Sequence, residues 1–182
     1  MFNLNDEKEF STGKSIFNGG EAGKVDNVSI RVEKKQDSSN QPDYKLFAND
    51  GMGEINEGFY YPTPNPQKNE EENNKTAKMH VGRVLHVAKA VMGDDYTFPE
   101  VNGAKEAFDT LFKLIKENSE GKKFNVYATY GTKDRPGQYL GFRFFNFIEP
   151  AGNEKTTLYP NAKDVMEKLN PDAPKGNSDN WI

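Results

Sequence analysis

Two alternating aromatic runs constrain this chain more than any other feature. Phe124 to Tyr130 and Tyr139 to Ile148 lie within KKFNVYATYGTKDRPGQYLGFRFFNFIEP, on either side of a turn containing Gly131, Pro136 and Gly137. Strand side chains point alternately to opposite faces. Period-2 runs of Phe, Tyr and Val bounded by Gly and Pro therefore specify a β-hairpin with a half-buried surface. Leu140, Phe142, Phe144 and Ile148 share one face of the second run and read as interior. Tyr139, Arg143, Phe145 and Phe147 share the other, where they either pack under a helix or stack on a ligand. Tyr127 and Tyr130 fall on opposite faces and cannot both point inward, so Tyr130, next to the basic turn, is the stacking candidate.

Upstream, Val28, Ile30 and Val32 alternate with polar residues, which predicts a strand over Lys24 to Lys35. Tyr44 to Asn49 is a second strand, and Asp50-Gly51 with Gly53 turns it into a third, Ile55 to Tyr61. PTPNPQKNEEENNKT (62–76) is too polar to bury anything and is expected to be a flexible loop. Helical spacing predicts a helix over Ala77 to Met92 and another over Gly103 to Asn118, capped by Asn102. A short helix, Ala162 to Leu169, precedes the tail NPDAPKGNSDNWI.

This order predicts a mainly β (α+β) chain: a five-stranded, OB-fold-like Greek-key barrel with two helices between strands three and four. A mobile arm (1–14), a domain over 15–169 and a flexible tail (170–182) are expected. A half-open sandwich has the same strand string.

Composition narrows the function. There is no cysteine, which excludes disulfides and Cys-based zinc sites and fits a reducing cytoplasm. MFNLNDEKEF has no apolar signal-peptide core, and no run approaches membrane-spanning length. A formal charge of −4 argues against coating duplex DNA through overall positive charge, but leaves room for a local basic groove.

Cations beside flat rings suit a single-stranded nucleic acid, which needs charges for phosphates and π-faces for bases. Arg31, Lys34, Lys35, Lys45, Lys122, Lys133, Arg135 and Arg143 flank the aromatic strands, and Phe47, Tyr60, Tyr61, Tyr130 and Tyr139 supply rings. The bland reading, solvated lysines and core aromatics, stays open beside it. Catalytic patterns are weak. Gly13-Lys14-Ser15 lacks the glycine a phosphate-binding loop needs at position 8, and Gly23-Lys24 lacks a following Ser or Thr. His80 and His86 are six apart and face different sides of a helix. Neither an enzyme, a cofactor nor a metal site is expected.

GKVDNVSIRVEKK, DYKLFANDGMGEINEGFYYP and the aromatic hairpin together resemble a bacteriophage-type single-stranded DNA-binding protein over roughly residues 15–150. The resemblance implies an OB-fold core and a C-terminal tail that recruits replication and recombination proteins. Here Asp179, Trp181 and Ile182 form the partner-binding tip, though Asp172 and Asp179 are the tail's only acids. Oligomeric state, monomer or homodimer, is open. A carbohydrate-binding module or a structural phage component would use the same aromatics.

Overall fold

Strand β1 (Gly23–Lys34) is where the sheet curls. Its first half pairs with β4 (Phe124–Thr132) and its second half with β2 (Tyr44–Asn49), both antiparallel. Between them the register slips, and Asn27 takes φ 59°. Such a bulge bends a strand and increases its twist. Val25 lies on one side of it; Val28, Ile30 and Val32 resume the inward face on the other, all buried.

The structure, a computed structural model, describes residues 17, 20–35 and 41–168. The whole of the expected arm (1–14), and the tail with Asp179, Trp181 and Ile182, lie outside them. The fold is mainly β, a curled antiparallel half-barrel of five strands in the order β3-β2-β1-β4-β5. Here β3 is Glu54–Phe59 and β5 is Arg135–Phe142. Helices α1 (Glu70–Met92) and α2 (Ala104–Asn118) come between β3 and β4. Val84, Val87, Ala88 and Val91 of α1 and Phe108, Leu111, Phe112 and Ile115 of α2 join the sheet's inner face in one core. Tyr44 stacks on Phe112 at 4.2 Å.

Four expectations are corrected. Residues 70–76 are not a loop but the start of α1. The Asn69 side chain accepts the Glu72 N–H at 2.8 Å, and Glu72 takes the Asn69 N–H at 3.1 Å, a reciprocal cap. Glu70, Glu71 and Glu72 sit where the helix dipole favours negative charge. A polar segment that cannot bury anything can still be helical on its own hydrogen bonds. The cap of α2 is Gly103 rather than Asn102, whose backbone N–H donates to Glu106 instead.

The second aromatic run is not one strand. It leaves the sheet after Phe142, turns through Arg143–Phe147, and returns as β6 (Ile148–Pro150), which pairs with the first residues of β4. Tyr127 pinches this excursion at its base: it accepts the Arg143 N–H at 3.0 Å and donates to the Phe147 carbonyl at 2.8 Å.

No helix forms within 161–168. The backbone there bonds to β4 instead, through Tyr130 N–H to the Val165 carbonyl, Lys133 N–H to the Lys163 carbonyl, and Val165 N–H to the Gly131 carbonyl. Asn161 and Asp164 close a turn between them. Groups engaged by a strand are not free to make helical bonds.

Candidate functional site

The hairpin β4–β5 turns tightly at Lys133–Asp134, since Thr132 pairs with Arg135 and Gly131 with Pro136. Gly131 has φ 82°, and a Cβ there would lie 2.4 Å from the Arg135 carbonyl oxygen, so the turn requires glycine. Pro136 is tolerated because β5 ends the sheet.

Beside β5 lies a groove of about 860 Å³. Tyr139 stands 83 % exposed on the strand, and Phe144 and Phe145 stand on the excursion, 38 % and 54 % exposed. The two phenylalanine rings meet edge to face at 4.4 Å. Arg135 and Lys163 border the groove and have no acidic partner among the described residues; of the three carboxylates lining it, Glu57 and Asp164 pair with Arg83 and Arg143, and Asp134 stands at the turn.

Two arginines, Arg143 half-buried and Arg83 buried, build the excursion. Arg143 donates through Nε to the Phe145 carbonyl and through Nη2 to the Asn146 carbonyl, both at 2.9 Å. It also bonds the Tyr159 carbonyl and pairs with Asp164 at 3.4 Å, with its guanidinium 4.6 Å from the Tyr127 ring centroid. From α1, Arg83 donates through Nε to the Phe144 carbonyl at 2.9 Å and pairs with Glu57 at 3.4 Å. Phe59, Phe144 and Phe147 surround it at 4.8, 4.7 and 5.4 Å. Burial pushes the Glu57 carboxyl up and the Arg83 guanidinium down, though each supports the other's charge.

The structure scatters many of the residues singled out in the sequence. Tyr130 is 3 % exposed and donates its hydroxyl to the Gly20 carbonyl at 2.6 Å; it has no face open to stacking. Tyr127 is buried as well, with its hydroxyl 4.0 Å from the Met166 sulfur and the Arg143 guanidinium over its ring. Phe47 is buried beneath the Arg31 guanidinium, 3.7 Å from the ring centroid, and Arg31 itself pairs with Glu33 and Glu54. Lys35 pairs with Glu33 at 3.4 Å. Lys122 donates to the Val91 carbonyl at 2.6 Å and closes the end of α1. Arg143 is structural, only 11 % exposed. Lys45 is half-buried on β2, and Lys133 and Arg135 stay exposed.

Lys34, Tyr44 and Tyr61 converge on Asp109. Lys34 Nζ lies 3.0 Å from its carboxylate, and both tyrosine hydroxyls donate to it. Desolvation alone would raise the Asp109 carboxyl, but these three donors overrule it and hold it at about 2. Burial, and the same carboxylate, push both tyrosine hydroxyls upward. The cluster ties β2 and the end of β3 to α2.

Sequence reasoning placed Phe144 in the interior, left Phe145 between a helix contact and a ligand stack, and missed Lys163 and Arg83. One local signal was available: Asn146 interrupts the run and adopts φ 47°, a left-handed conformation that Asn tolerates and β-branched residues do not. Among the described residues no three His, Asp or Glu side chains gather as a metal site. No protein-family model, curated protein or solved structure matches the chain.

Proposed function

We propose that this protein binds single-stranded DNA with little sequence preference, in the groove beside β5. One observation carries the reading: Tyr139, Phe144 and Phe145 are exposed beside Arg135 and Lys163, cations with no acidic partner among the described residues. Exposed rings have no folding reason to face water together, and base stacking accepts any π-face. Exposed Lys133 at the turn extends the charge. The strand path supports an OB-fold-like architecture. Strands β3 and β5 end the five-strand path and lie in contact, as in a Greek-key barrel left partly open. The role served is coating single strands during replication, recombination or repair, and the tip Asp179, Trp181 and Ile182 is the proposed hook for the proteins that carry them out.

A second reading, a carbohydrate-binding module, is favoured by the pairing of Arg83 with Glu57 and of Arg143 with Asp164, which spends two of the groove's cations on its own acids and leaves its exposed rings beside little open charge. Titration of the full chain with labelled oligo-dT, its duplex and a glycan panel separates the two. Preferential, salt-sensitive binding of oligo-dT is expected. Equal affinity for duplex, or binding of glycans alone, would overturn the DNA reading.

A further inference from the structure

Phe144 is a wall between two cavities. On one side lies the groove beside β5; on the other, a slot of about 60 Å³ bounded by Tyr60, Gly58, His80 and Arg83. Arg83 lines both, so the cavities meet at one guanidinium and one ring. Tyr60, just past the end of β3, is 54 % exposed, and no hydrogen bond or ring contact holds it among the described residues.

We infer that the slot between Tyr60 and Phe144 is a second subsite of the same binding track, taking the edge of one nucleobase while Tyr60 stacks on its face. This rests on the single-strand reading proposed above. The slot suits an uncharged ring rather than a phosphate. Arg83 is already committed to the Phe144 carbonyl and Glu57, so no free cation lies within it. Burial and the neighbouring Arg83 charge lower the His80 imidazole from its ordinary value, which leaves it neutral at pH 7 with one donor and one acceptor. That pair matches the mixed donors and acceptors on a base edge. A volume of about 60 Å³ admits an edge and not a whole ring, so the remainder of the base lies against the exposed tyrosine.

The test is a length series of labelled oligo-dT, from about 4 to about 16 nucleotides, the span a single such barrel covers. The full chain is titrated as wild type, Tyr60→Ala, Tyr60→Phe and Tyr139→Ala, with thermal midpoints measured in parallel. Tyr60→Ala should leave the shortest strand bound as in wild type and weaken the longest roughly tenfold, the loss of one stacked base. Tyr60→Phe should keep the wild-type length dependence, and Tyr139→Ala should weaken every length. Tyr60→Ala behaving as wild type throughout, or weakening all lengths equally, would overturn the second subsite while the DNA reading stands. A wild-type chain that binds no length would overturn both.

Discussion

The guanidinium of Arg143 lies 4.6 Å from the ring centroid of Tyr127, and the Arg143 backbone N–H donates to the Tyr127 carbonyl at 3.0 Å. Two residues that could each have faced a ligand are thus used on one another. The chain leaves the sheet at this contact, and Phe144 and Phe145 beyond it lie at the surface.

Replacing an exposed ring and a buried one should have opposite consequences. Tyr139→Ala should leave the thermal midpoint unchanged and weaken oligo-dT binding by about 1–3 kcal/mol. Tyr130→Ala removes a ring 3 % exposed and should destabilise the fold by about 3–5 kcal/mol in urea denaturation. A Tyr130→Ala chain of unchanged stability would mean that its ring is not packed.

Arg83→Ala should destabilise the fold by about 1–3 kcal/mol, because it strands the half-buried Glu57 carboxylate and frees the Phe144 carbonyl. Adding Glu57→Gln should recover part of that loss. Equilibrium urea unfolding of the four combinations measures the coupling.

Charge at the groove should appear in salt dependence. The double change Arg135→Ala with Lys163→Ala should weaken oligo-dT binding at low salt and reduce the log–log slope by about 0.7 for each lost phosphate contact. The fold should be unaffected, since neither side chain has an acidic partner among the described residues. An unchanged slope would show that these cations do not meet phosphate.

Stability should fall on acidification in two windows. Burial lowers the His86 imidazole, so below about 6.5 the unfolded chain takes up a proton that the folded chain resists. Glu149 is also buried, which alone would raise its carboxyl, but bonds from Thr157, Thr156 and Asn125 hold it below its ordinary value, as Asp109 is held at about 2. The stability these carboxylates contribute is complete above their unfolded values and is lost as pH falls from about 4.5 toward 2. Urea midpoints across pH should therefore drop in both windows. Glu149→Gln should flatten the lower one, at the cost of a lower midpoint at pH 7.

The sequence alone determined the first three strands, the two helices and the β4–β5 hairpin in their order, but not the break after Phe142 or the non-helical course of 161–168. Val28, Ile30 and Val32 on β1 and the apolar stripes of α1 and α2 are legible because strand and helix periods belong to residues near one another along the chain. Tertiary structure decided which faces stayed open. Tyr130 is covered by bonding Gly20, 110 residues away, and Lys34 is neutralised by Asp109, 75 residues away. No period in the sequence encodes such meetings. Exposure depends on which distant segment returns to meet a strand: Phe144 and Phe145, read as strand positions, lie at the surface on a turn whose Phe144 carbonyl is held by Arg83, 61 residues away.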